Sequence, residues 1–273
     1  MRNAQQRRLT SIQRHLCSSP GSDDTHTRAT AAHSSELVLW GAPQFRSFRV
    51  QWALEELGVS YTVRPIASRT GETQTARFLK LNPRGKIPVL EHGSFVLCES
   101  AAIGTYLADT FGGDGDGGSG SLGGALALAP APRTRARALY DQWCFFVVSE
   151  IDSQGLYVHR KHVALSAQYG SAPTAVAAAK NYFLKHISVA AAELQKLEQQ
   201  QGFDSMRESL SILGASCGFG FSFADVLLTH CLHWAKTIGW LPAPTGTSAV
   251  LHRYLGQMTA RSAYQRVAKA AGF

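Results

Sequence analysis

The hydrophobic period changes several times along the chain. Leu37-Val38-Leu39-Trp40 is an unbroken apolar run closed by Gly41-Ala42-Pro43, which predicts a short buried strand and a turn. Beyond Phe45 the period becomes helical. Val50, Ala53, Leu54 and Leu57 fall at i, i+3, i+4 and i+7, Glu55 and Glu56 point away, and Gly58 closes the helix. Val59 to Ile66 predicts a second strand, with Pro65 marking an edge. A short helix over Thr75–Leu81 stops at Asn82-Pro83. Lys86 to Leu97 then reads as two strands around the turn Glu91-His92-Gly93-Ser94. Ala102, Ile103, Tyr106, Leu107 and Phe111 mark one face of a further helix. The resulting order, βαβ, short helix, hairpin and helix, is a small α/β domain over residues 36–111.

Past that point strands vanish from the pattern. Residues 112–124 hold eight glycines in thirteen positions, so residues 112–128 are expected to be a linker or insertion. The remainder, 129–273, reads as an all-α domain. Long helices are expected over Arg133–His162, Thr174–Gln201 and Phe223–Ile238, with shorter ones after Ser248. Ser222-Phe223-Ala224-Asp225 has the form of a capping box, a local folding device.

Composition and charge narrow the partners. The chain carries 27 basic and 19 acidic residues, net +8, and this charge is uneven. Residues 1–35 have five arginines, two aspartates, no lysine and no glutamate, amid dense serine and threonine. An Arg-rich, acid-poor stretch of this kind predicts a disordered leader with the character of a transit peptide, and hence a mitochondrial or other organellar address; otherwise the chain is expected in the cytoplasm. No apolar signal-peptide core is present in it. The remaining basic residues form no run with interleaved aromatics, so nucleic acid is not an expected partner. The longest apolar run outside the leader, Trp143–Val148, is far below the roughly 18 residues of a membrane span. Five dispersed cysteines without a CxxC pair exclude a CxxC redox motif and argue against a disulfide framework.

Three segments carry a family resemblance: Asn82-Pro83-Arg84-Gly85-Lys86-Ile87-Pro88-Val89-Leu90, then Glu99-Ser100-Ala101-Ala102-Ile103, then Ser222-Phe223-Ala224-Asp225. In this order the chain resembles the soluble glutathione transferases, and Val50–Gly58 is similar to the family's first helix. The resemblance implies a thioredoxin-like α/β domain followed by an all-α domain. It also implies glutathione as substrate, a cis bond before Pro88, and main-chain pairing of the tripeptide with Ile87, as if it were an added strand. By the same resemblance Ser100 holds the γ-glutamyl carboxylate at a helix start, Glu99 its ammonium, and Lys86 lies near the glycine carboxylate. Helix capping and solvated surface charge are the plainer readings of these three residues.

The thiol of glutathione must be ionised for transfer chemistry. Serine- and cysteine-type members of the family place a hydroxyl or thiol where this chain has Gln44. Three nearby groups stand in for it: the Gln44 amide, the Arg46 charge and the Ser47 hydroxyl, the last also readable as a helix-start residue bonded to backbone. Tyr140 and Trp143, on the helix that faces the cleft in the family, are expected either to line a pocket for a small hydrophobic electrophile or to fill the core. His159/His162 and His230/His233 are i, i+3 pairs without a third ligand nearby, so no metal is expected. The resemblance implies a detoxifying transferase, active as a homodimer. The rival reading is a non-catalytic subunit of the same fold in an organelle complex.

Overall fold

A computed structural model describes residues 36–113, 126–201 and 210–272. The expected leader and most of the glycine-rich insertion lie outside these residues. The described chain divides into two compact units. One holds residues 36–47 and 60–100; the other holds residues 48–59 and everything from Ala101 onward. The division differs from the sequence reading, because the first helix and the helix after Ser100 belong to the helical unit.

The α/β unit is a four-stranded mixed sheet. Its strands are β1 (Leu37–Trp40), β2 (Thr62–Arg64), β3 (Val89–His92) and β4 (Phe95–Cys98), in the order β2-β1-β3-β4. β1 runs parallel to β2, with Leu39 opposite Val63, and antiparallel to β3, with Trp40 opposite Val89. β3 and β4 form the expected hairpin, Val89 facing Cys98. β2 is shorter than the apolar run Val59–Ile66 suggested. Val59 donates instead to Leu54 O at the end of the preceding helix, and Ile66 turns back on Arg64 O. On one face of the sheet Trp40, Val89 and Phe78 form a core, Phe78 coming from the short helix α2 (Ala76–Leu81). The Trp40 and Phe78 rings meet edge-on at 6.1 Å, and the Arg77 guanidinium lies over the indole. Thr75 starts α2 by accepting from Phe78 N–H.

The helical unit begins with α1, which runs Ser47–Leu57 and stops at Gly58 in the left-handed region as its sequence predicts. It continues with α3 (Ser100–Phe111), α4 (Arg135–Phe146), α5 (Pro173–Gln201), α6 (Phe223–Thr237), α7 (Ala249–Thr259) and α8 (Ser262–Ala271). The long helix expected over Arg133–His162 is not uniformly α. Its turns widen to π over Val147–Leu156 and again over Arg160–Ala164. Trp52, Tyr140, Phe183, Phe223 and Tyr254 are fully buried in one core. Gly104 in α3 leaves room for the Phe223 ring, into which any Cβ would run.

Three further features depart from the sequence pattern. Glu56 is turned inward, accepting from Trp52 Nε1 at 2.8 Å and from Arg261 at 2.6 and 2.8 Å. Leu128, at the end of the expected linker, is buried and accepts from Phe223 N–H at 2.8 Å, so the flexible composition stops short of it. The capping box reaches beyond its own helix. Asp225 accepts from Ser222 N–H and Oγ–H, and also from Ile212 N–H, Ser211 Oγ–H and the Tyr254 hydroxyl, all at 2.7–3.1 Å. This one carboxylate therefore ties the loop before α6 to α7.

Candidate functional site

Strand register assembles the site. Because Trp40, Val89 and Cys98 lie abreast, the segments that follow β1, precede β3 and follow β4 all emerge at one end of the sheet. Those segments carry Gln44 to Ser47, Arg84 to Pro88, and Glu99 with Ser100.

The loop before β3 is shaped by Asn82, which is buried. Its amide donates to Lys86 O at 2.7 Å, while its Oδ1 accepts from Arg84 N–H at 3.1 Å and Arg84 Nε–H at 3.4 Å. The Ile87–Pro88 peptide is cis. Pro88 is buried, Ile87 half-buried, and Lys86 is directed to solvent. Across the hairpin, Glu99 sits in the left-handed region at φ 72°, a conformation that costs a non-glycine residue about 1–3 kcal/mol. Its carboxylate meets Arg84 Nη1 at 2.6 Å, which joins the Lys86 loop to the start of α3. Ser100 is buried as the first residue of that twelve-residue helix, whose first-turn N–H groups favour an anion. Cys98, just before this pair, has its thiol pushed up by burial, a shift that hydrogen bonding to Arg84 opposes.

At the start of α1 the three activating candidates part company. Gln44 is exposed and Arg46 half-exposed. Ser47 is 0% exposed, and its Oγ has no hydrogen-bond partner among the described residues. Gly41, at φ 139°, explains this burial. A Cβ there would collide with Ser47 Oγ and lie 3.3 Å from Ile87 Cβ, so the helix start is pressed against the end of β1 beside the Ile87–Pro88 turn. The hydroxyl expected to face a thiol is thus sealed inside, bonded neither to solvent nor to backbone.

Tyr140 and Trp143 lie in the helical unit and fill its core. Tyr140 is fully buried, with its hydroxyl 2.8 Å from Thr105 Oγ1, and burial holds its phenol well above the usual range. Trp143 is buried with its ring edge-on to Phe146. Both side chains are buried in the core of the helical unit. The histidine pairs have other partners. His162 Nδ1 lies 2.9 Å from Gly170 O, Arg49 Nε donates to His230 Nδ1 at 3.2 Å, and His233 Nδ1 lies 2.9 Å from the Tyr264 hydroxyl. Among the described residues no group of three His, Cys, Asp or Glu is placed to hold a metal ion, and no helix is long and apolar enough to cross a membrane. Asn82 and Arg84 take their places here through contacts across the loop and the hairpin, and the local sign of Arg84 is a cation next to Gly85 in the loop that carries Lys86.

Residues 35–109 match the glutathione S-transferase N-terminal domain. Curated relatives are similar over stretches of comparable length. Glutathione S-transferase 1 of Dianthus caryophyllus is 42% identical over 65 residues, covering 24% of this chain and 29% of that protein. Glutathione S-transferase F4 of Arabidopsis thaliana is 47% identical over 60 residues, covering 22% and 24%. The chain thus spans a third or less of the length of these relatives. Solved structures extend the likeness to the whole fold. Ure2p in complex with glutathione superposes with a TM-score of 0.70 at 17% identity, over 85% of this chain and 98% of that one. Glutathione transferase F7 from Populus trichocarpa gives 0.63 at 21% identity, over 87% and 100%. The fold is that of the glutathione transferases: a mixed α/β domain followed by a helical one.

Proposed function

We propose that this chain binds glutathione at the sheet end described above and acts as a transferase toward small hydrophobic electrophiles. The observation that carries the reading is the joining of the Lys86-Ile87-Pro88 loop to the Glu99-Ser100 helix start at one edge. The cysteinyl main chain pairs with Ile87, as an added strand would. The γ-glutamyl carboxylate takes the first-turn N–H groups of α3 and the Ser100 hydroxyl, its ammonium goes to Glu99, and Lys86 attracts the glycine carboxylate. The relatives named as glutathione S-transferases, and the neighbour solved with glutathione, support this reading.

With Ser47 sealed, lowering of the thiol pKa falls to the Gln44 amide, the Arg46 charge and the positive end of the dipole at the start of α1. The burial of Ser47 favours a second reading, in which the same site holds the tripeptide without ionising it and the chain serves as a binding or assembly subunit. A homodimer and an organellar address belong to the proposal as well; sedimentation of the purified chain and a reporter fused to residues 1–35 test them.

Calorimetry with glutathione, followed by thiolate absorbance of the bound tripeptide against pH, decides between the readings. Ser100→Ala is expected to weaken binding by about 1–3 kcal/mol through a lost hydrogen bond to a charged group. A bound-thiol pKa below that of free glutathione supports the enzyme, and Gln44→Ser then raises the conjugation rate. An unshifted pKa favours the subunit.

A further inference from the structure

The pairing of Arg84 with Glu99 has a consequence for whatever zwitterion docks there. A γ-glutamyl group presents an ammonium and a carboxylate on one carbon. If Arg84 stayed on Glu99, the incoming ammonium would lie beside a guanidinium and the incoming carboxylate beside a carboxylate. Exchange of partners removes both repulsions: four charges in two ion pairs become four charges in two new ones.

We propose that Arg84 is a ligand-exchanged carboxylate receptor, its guanidinium passing from Glu99 to the α-carboxylate of the γ-glutamyl group while Glu99 takes the ammonium. The inference deepens the glutathione reading and rests on it. Three observations fit the arms of the exchange to this task. The ion pair is open to water, with 44% of the Arg84 side chain and 69% of the Glu99 side chain exposed, and such pairs add little to stability, so giving it up is not costly. Asn82 holds Arg84 at its main-chain N–H and at Nε, which fixes the root of the guanidinium and leaves its terminal nitrogens to change partner. Glu99 is held by its left-handed backbone immediately before Ser100, so its carboxylate stays at the helix start when the guanidinium moves. The planar fork of an arginine suits a carboxylate in a way that a lysine at this position would not.

The test is calorimetry on the full chain with three ligands: glutathione, the analogue with 4-aminobutyrate in place of its γ-glutamyl residue (no α-carboxylate), and the glutaryl analogue (no ammonium). Arg84→Gln is expected to weaken glutathione and the glutaryl analogue by about tenfold or more. It should leave the 4-aminobutyryl analogue unchanged or bound more tightly, since only a competitor for Glu99 has been removed. Arg84→Lys should recover part of the loss. Equal weakening of all three ligands would make Arg84 a loop brace only, and unchanged or tighter glutathione binding would make it a competitor; either result overturns the proposal. Absence of glutathione binding by the unaltered chain would overturn the site itself, an outcome separate from both.

Discussion

Arg49 meets Asp152 and Arg84 meets Glu99 at the same distance, 2.6 Å, but in different surroundings. Arg49 and Asp152 are 1% and 3% exposed in the helical unit, whereas Arg84 and Glu99 stand half in water. The Arg49 guanidinium also donates to His230 Nδ1, and Cys231 Sγ lies 3.5 Å from its Nη2. Separation alone says little about what a pair does. A buried pair is costly to form and more costly to break, because removing one partner strands a charge away from water. An exposed pair adds almost nothing and gives way readily. The first suits a fixed junction between α1 and the π-turn segment carrying Asp152; the second suits a site whose charges must rearrange around a ligand.

The contrast can be broken at several points. Arg49→Leu should cost about 3–5 kcal/mol in urea unfolding, and the double replacement with Asp152→Leu should recover much of it. If the two losses simply add, the pair is not a unit. Asp225→Ala should come next, at about 3 kcal/mol, because it leaves buried donors from Ile212, Ser222 and Tyr254 without their acceptor; an effect under 1 kcal/mol would show that the loop before α6 repacks.

A smaller effect concerns pH. Burial and nearby Lys236 hold the His233 imidazole below its usual 6.5. The unfolded chain therefore takes up a proton before the folded one does. The stability linked to His233 is complete above about pH 6.5 and is lost as the pH falls from there toward the lower folded value. His159, lowered by burial in the same direction, adds to this slope. Unfolding followed by circular dichroism from pH 7.5 to 5 should show a shallower decline for His233→Asn. Smallest of all, Arg84→Gln should change stability by less than about 1 kcal/mol, whatever it does to ligand affinity.

The helix starts and stops were legible because their signals are local: Gly58 closes α1, Thr75 opens α2 and Ser222 opens α6. The candidate site was legible through its loop residues, since Lys86-Ile87-Pro88 and Glu99-Ser100 keep their meaning without reference to distant parts. Other features depend on partners far along the chain. Arg49 stands between Phe48 and Val50 in the sequence, and nothing nearby announces Asp152, 103 residues on. Tyr140 and Trp143 had the periodicity of an inward face, but periodicity does not separate a core from a cleft. The hydroxyl of Ser47 was visible in the sequence; its burial follows from how closely the helix start approaches Gly41, a matter of backbone geometry.

The inward turn of Glu56 bears on how the protein is made. Helix α1 is translated early, yet the arginines that hold Glu55 and Glu56 lie 211 and 205 residues downstream, and Tyr264, which meets Phe48 and Trp52 edge-on, is equally late. At ribosomal speeds of about 5–20 residues per second the helix waits about 10–40 s for those partners. During that interval Phe48 and Trp52 are apolar surface without their aromatic cover, a target for the chaperones that meet nascent chains. The stretch that matches a transferase domain is therefore not a segment that can be cut out and expected to fold alone, because the polypeptide completes it last.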